Sequence, residues 1–514
     1  MNDLPRSVVV DGGPLTVDEV VAVARRRADV TTGDSLVARM EPARSLVERV
    51  VAENRAVYGI TTGFGALAGT RIAPAAAAEL QVGLVRSHAA GVGEPLEAPM
   101  VRAMLLLRAR TLSQGHSGVR PLVVERLLEL LRRDLLPVVP SQGSVGASGD
   151  LAPFAHLALP LIGEGELQRA GVAGPSAQVL AAEGLAPLVL EAKEGLSLLN
   201  GTEGMLAMGV LGLDRARRLA DAADVACALS VEALLGSARP FEARIHELRP
   251  HPGQRRSATR IAALLAGSEI GASHADDFVH AVQDAYSLRC APQVHGAARD
   301  VFSFAAGVFE CELGAVVDNP IVFPAEGRPG EGDVVSGGNF HGQPLAFALD
   351  FMAVAATELG SISERRTDRI LDPTRSSGLP PFLAARPGLD SGMMLAQYTA
   401  ASLVAENRVL SHPASVESIP TSGLQEDHVS MGWGAGRKLG DVLANTEHVV
   451  AVEVLCAVQG IEHRAPLHPA PLVAEAARRV RIVVAPLGAD RPVGPDITAV
   501  AGALREGLFD NLVD

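Results

Sequence analysis

Apolar residues recur at helical spacing over most of this chain. Across residues 121–136, Val124, Leu127, Leu128, Leu131 and Leu135 share one face, with Glu125, Arg126, Glu129, Arg132 and Arg133 between them. The segments 100–112, 214–235, 343–371, 391–409 and 434–461 carry the same period and predict helices, several of them long. Long helices with wide apolar faces bury those faces against one another. The pattern therefore predicts a mainly α protein, a long helix bundle with a mixed N-terminal region and faces left over for further copies of the chain.

The interruptions are rich in Gly and Pro. Residues 239–254, 323–333 and 372–392 read as loops, and β-branched stretches near Val8 and Ile321 read as minor strands. The expected division falls near Asn200. Residues 1–200 would form the mixed N-terminal region, and residues 201–514 the helical bundle and C-terminal region.

Composition narrows the function classes. At 514 residues the chain can bury a large core, and its formal net charge of −14, with no basic run, argues against a nucleic-acid partner. The apolar stretches 151–163 and 204–213 are too short to span a bilayer and read as buried helices, so no membrane partner is expected. The first residues lack the basic and apolar regions of a secretory signal. Cys227, Cys290, Cys311 and Cys456 lie far apart, without zinc spacing, which predicts buried free thiols, a cytoplasmic protein and no metal.

One run stands out chemically: Gly143-Ser144-Val145-Gly146-Ala147-Ser148-Gly149-Asp150, followed by Leu151-Ala152-Pro153. Two readings are open. In the plainer one, Gly and Ser form an ordinary loop and Asp150 caps the helix that follows. In the other, the Gly149 nitrogen, unhindered by a Cβ, closes on the Ala147 carbonyl carbon while Ser148 loses its hydroxyl as water. The product would be a five-membered ring bearing an exocyclic alkene, an electrophile that no side chain provides. Two alternatives fail on spacing: there is no lysine for a phosphate loop, and position 150 is not the glycine a nucleophile elbow requires.

Other polar groups sit among small residues, where loops are expected. Tyr58, one of three tyrosines, lies in Val57-Tyr58-Gly59-Ile60-Thr61-Thr62-Gly63-Phe64-Gly65 and is either a core cap or a proton acceptor. Gln283, Tyr286 and Arg289 lie in one segment, where the arginine either pairs with a protein carboxylate or awaits a ligand carboxylate. Ser87-His88, Leu199-Asn200-Gly201-Thr202-Glu203, Gly338-Asn339-Phe340-His341 and Gln425-Glu426-Asp427-His428 share this character. Histidines 88, 341 and 428 are not spaced as metal ligands on one helix.

Together these segments, from about Val57 to about Gln459, resemble the aromatic amino acid ammonia-lyases, and most closely the members acting on histidine. The resemblance implies an ammonia-lyase architecture. It also implies that Ala147-Ser148-Gly149 forms 4-methylidene-imidazol-5-one (MIO) without help. By the same resemblance Tyr58 takes the β-proton, Arg289 and Asn200 hold the substrate carboxylate, and Tyr286 and Gln283 position the amine and the ring oxygen. Phe340 lines the site, while Glu426 holds the imidazole or assists proton transfer there, with His88 on the opposite ring nitrogen. It further implies a homotetramer with sites shared between subunits, acting on L-histidine to give trans-urocanate and ammonia, the first step of histidine catabolism. Lyases or aminomutases for tyrosine or phenylalanine, and a non-catalytic helical scaffold, are the alternatives. Thr61 and Glu203 depart from the commoner Asn and Gln of the histidine-acting members, and Glu203 would bring a negative charge towards the carboxylate site.

Overall fold

The computed structural model describes residues 4–67, 69–275 and 283–513. Among them are nineteen α-helices and four small sheets, of which only the sheet joining Ser7–Val10 to Asp29–Thr32 is parallel. Four long helices make the bundle: α1 (Glu203–Ala233), α2 (Ala291–Glu312), α3 (Gln343–Leu371) and α4 (Gly432–Glu462). Alanines 216, 220, 223 and 226 give α1 a smooth face, which lets its neighbours approach closely. One continuous apolar core runs from Val8 to Leu512 and crosses the position near Asn200.

The helix α3 has the predicted bounds, opened by Pro344 in its first turn, where a missing N–H costs nothing. It is also long and apolar enough to cross a membrane, yet 72% of its most apolar window is buried inside the protein. Buried Asp350, Glu364 and Arg366 fit a core helix that carries polar partners.

Elsewhere the structure departs from the pattern. The 121–136 helix stops at Arg132, because Asp134 takes a left-handed turn (φ 55°) and sends Leu135 into the strand Leu135–Pro137. Within residues 239–254 the chain forms a 3-10 turn (Arg239–Phe241) and a short helix (Ala243–Glu247), then after a break opens the 14-residue helix Pro252–Leu265, with Pro240 and Pro252 in opening turns rather than as breakers. Cys227 and Cys456 are buried thiols as expected, but Cys290 is half-buried and Cys311 lies on the exposed side of α2.

Candidate active site

The loop 143–149 is clamped between the starts of α1 and α4. At its α4 side the Met431 N–H donates to the Val145 carbonyl (2.9 Å), and the Ser430 hydroxyl donates to the Gly146 carbonyl (3.1 Å). At its α1 side the Asp150 N–H donates to the Gly201 carbonyl (2.8 Å). Gly149 has φ 72°, and a Cβ there would lie 2.0 Å from the Gly201 oxygen, so only glycine fits.

Asp150 does not cap the helix that follows it; no capping bond to Leu151–Ala158 forms. Its buried carboxylate instead accepts from the Met205 N–H (2.8 Å) in the first turn of α1 and from the Ser144 hydroxyl (3.1 Å). Free N–H groups and the positive end of a long helix dipole attract it there. Burial pushes its carboxyl up to about 7, against these hydrogen bonds.

Around this loop the chain gathers most of the residues singled out in the sequence. The half-buried Ser148 hydroxyl donates to Glu426 Oε1 (3.3 Å), and the other Glu426 oxygen accepts from the Thr421 hydroxyl (2.7 Å). His88 ends the helix Ala77–His88, with Nδ1 3.0 Å from the Leu84 carbonyl. Burial lowers the imidazole's affinity for a proton, with Leu84 and the negative charge of Glu426 opposing. Tyr58 lies edge-on to Phe64, and its hydroxyl accepts from the Gly65 N–H (3.4 Å). That loop reaches Ser422, whose hydroxyl oxygen accepts from the Ala66 N–H. Phe340 precedes His341, whose ring stacks on His428 at 5.8 Å between centroids. The Gln343 N–H donates to His341 Nδ1 (3.3 Å), which leaves Nε2 to donate to the His428 carbonyl (3.2 Å).

Both departures, at positions 61 and 203, find partners within the fold. The Thr61 hydroxyl accepts from the Val57 N–H (3.0 Å) and donates to the Arg55 carbonyl, which holds the Tyr58 loop. Glu203 is buried and accepts from Arg108 Nη2 (2.6 Å), so its charge faces a partner. Burial raises its carboxyl above the usual range, and Arg108 pulls it back. Arg108 Nη1 also donates to the carbonyls of Ser197 (3.2 Å) and Asn200 (3.0 Å). Asn200 Nδ2 donates to the Asn319 carbonyl (2.9 Å), while its Oδ1 is buried with no partner among the described residues. Arg108 belongs to the site without a motif to mark it; an arginine following the apolar run Leu105-Leu106-Leu107 is its one sequence signal.

The remaining three residues lie elsewhere. Arg289, in the short helix Tyr286–Arg289, donates to Gln283 Oε1 (2.7 Å) and lies 4.6 Å from the Tyr286 ring centroid. Tyr286 is 71% exposed, and Arg289 Nε is buried without a partner among the described residues. A buried network holds this helix from beneath. Arg366 donates to the Ser287 carbonyl (3.2 Å) and is itself paired with Glu453 through Nη2 (2.8 Å). The Cys227 thiol, near the far end of α1, lies 4.0 Å from the Leu288 carbonyl. Met205 and Cys227 are separated by about 33 Å of helix at 1.5 Å per residue. Within one chain, the Arg289 cluster and the Ser148 cluster therefore sit at opposite ends of the bundle.

The aromatic amino acid lyase family model matches residues 15–482. A histidine ammonia-lyase of Sorangium cellulosum is 52% identical over 501 residues, covering 97% of each chain. Among solved structures, histidine ammonia-lyase from Trypanosoma cruzi superposes with a TM-score of 0.89 at 43% identity, over 98% of this chain and 95% of that one. The tyrosine aminomutase from Streptomyces globisporus gives 0.90 at 41% identity, over 98% and 97%.

Proposed function

The chain belongs to the aromatic amino acid lyase family, and from that premise we propose that it removes ammonia from L-histidine to give trans-urocanate, using an electrophile made from its own Ala147-Ser148-Gly149. The observation that carries this reading is the Ser148 hydroxyl facing Glu426 at 3.3 Å, with His88 within the field of the same carboxylate. An imidazole presents a donor and an acceptor nitrogen, and these two side chains answer both. A benzene ring would leave them desolvated and unpaired, at about 1–3 kcal/mol each.

The residues present fit the MIO group. Closure joins Gly149 N to the Ala147 carbonyl carbon with loss of one water, and dehydration of Ser148 releases a second. Gly149 holds the left-handed conformation against Gly201, and its N–H donates to no described residue. Once formed, the group supplies an electrophilic alkene that turns the substrate amine into a better leaving group. Tyr58, as tyrosinate, would accept the β-proton. Arg289 would bind the substrate carboxylate through its fork, and Asn200 would assist. Gln283 and Tyr286 would orient the amine and the ring oxygen, Phe340 would pack on the substrate, and Glu426 and His88 would fix the imidazole.

Arg289 and Tyr286 lie by the Cys227 end of α1, about 33 Å of helix from Met205, which anchors the Ser148 loop of the same chain. A site using all of them draws on more than one copy, as a homotetramer with shared sites would allow. Exposed Phe304, Phe347 and Phe351, in contact along α2 and α3, supply an apolar stripe for such packing.

Intact mass and a substrate panel test the reading. The purified protein should weigh two waters less than its translated sequence and deaminate L-histidine in preference to L-tyrosine and L-phenylalanine. The likeness to a tyrosine aminomutase favours a second reading, in which the panel would yield a β-amino acid from L-tyrosine.

A further inference from the structure

All but two of the 45 lysines and arginines in this chain are arginine; the exceptions are Lys193 and Lys438. Lys193 is fully buried. It precedes the short helix Glu194–Leu199, which ends at Asn200. Its Nζ donates to Asp318 Oδ2 (2.8 Å) and to the Ser197 hydroxyl oxygen (2.9 Å). The Ser197 hydroxyl donates in turn to Asp318 Oδ2 (2.8 Å). A planar guanidinium needs more room and spreads its donors in a wider fork, so this closed pocket calls for the compact ammonium.

The other side of Asp318 leads to the site. Its Oδ1 accepts from the Asn319 N–H (2.7 Å). The Asn319 carbonyl accepts from Asn200 Nδ2 (2.9 Å), and Asn319 Oδ1 accepts from the Gly337 N–H (2.8 Å), three residues before Phe340. One buried ion pair thus fixes a single residue, Asn319, to which both Asn200 and the Phe340 segment are tied. The bond to the Asn319 carbonyl engages the Asn200 amide nitrogen and fixes the side-chain plane, leaving Oδ1 without a partner among the described residues.

We propose that Lys193 and Asp318 are positioning residues, holding Asn319 so that Asn200 and the Phe340 segment meet the substrate in one fixed arrangement. This rests on the reading of Asn200 as a substrate-binding residue given above. Neither Lys193 nor Asp318 touches the substrate; both act through Asn319.

A kinetic double-mutant cycle between Lys193→Met and Asn200→Ala tests this, using the full-length protein and L-histidine. Lys193→Met/Asp318→Asn, which removes both buried charges, is carried through the same cycle in case the single variant does not fold. We expect either break to lower kcat/KM about 30-fold, mostly through KM, and to cost less than about 3-fold once Asn200 is already alanine. Lys193→Arg should not restore the wild-type value. Losses that multiply independently of Asn200, or a kcat/KM within about 2-fold of wild type, would overturn the proposal. So would a variant that no longer loses two waters, since the pair would then act in ring formation. A wild-type protein that leaves L-histidine unchanged defeats the functional reading itself, before the cycle is begun.

Discussion

Ser148 and Glu426 are 278 positions apart in the chain and meet at 3.3 Å. The contact brings the Ala147-Ser148-Gly149 triplet against a carboxylate proposed to hold an imidazole, and the specificity predictions start from it.

Glu426→Gln keeps the size of the side chain and removes its charge. Loss of a charge-assisted hydrogen bond is worth about 1.5–3 kcal/mol, so kcat/KM for L-histidine should fall roughly 10- to 100-fold. Combined with His88→Leu, the change should narrow the preference over L-tyrosine and L-phenylalanine. Steady-state kinetics on the three amino acids measure both effects, and an unchanged preference would remove the pair from specificity.

Tyr58→Phe removes the proposed acceptor while keeping the edge contact with Phe64. Turnover should fall by about 10²- to 10⁴-fold, the usual worth of a general base, with the two-water mass deficit intact. Near-normal turnover would assign the β-proton to another group.

Separation of Arg289 from Ser148 along α1 gives a test of shared sites. Arg289→Ala and Ser148→Ala should each be inactive alone. Co-expressed, they should recover part of the activity, because some mixed sites receive Ser148 from one copy and Arg289 from another. No recovery in a verified mixed oligomer would place both residues in the site of a single chain.

Asp150 makes a prediction about pH and stability. Its carboxyl titrates at about 7 in the fold against an ordinary value of 3.8, so the folded state holds the proton more tightly. Its contribution is full below about pH 4 and is lost as pH rises to 7, by about 4 kcal/mol at most. Asp150→Asn can still accept from the Met205 N–H but does not titrate. The apparent Tm of the wild type should therefore fall relative to that of the variant between pH 5 and 8; parallel curves would contradict the burial argument.

Much of the architecture was legible in the sequence, because helical periodicity reports the buried face directly. The bounds of α3 and the strand at Ile321 followed from pattern and β-branching. Leu135 was misplaced because its apolar spacing continues the helix, whereas the left-handed turn at Asp134 ends it. Asp150 looked like a cap for the nearest helix, and only tertiary packing shows that it caps α1. The charge of Glu203 is not legible as paired, because its partner, Arg108, lies 95 positions away. The position of the Arg289 cluster at the opposite end of the bundle from Ser148 depends on how long helices pack, which motif spacing does not encode.

A self-made electrophile acting on histidine leaves two marks, one on the mass of the protein and one on its products. Incubating the purified protein with L-histidine, with its intact mass determined on the same sample, tests this most directly. The expected result is a mass two waters below the translated sequence and stoichiometric release of trans-urocanate and ammonia. An undiminished mass, or a correctly dehydrated protein that turns over L-tyrosine or L-phenylalanine in preference to L-histidine, would contradict it.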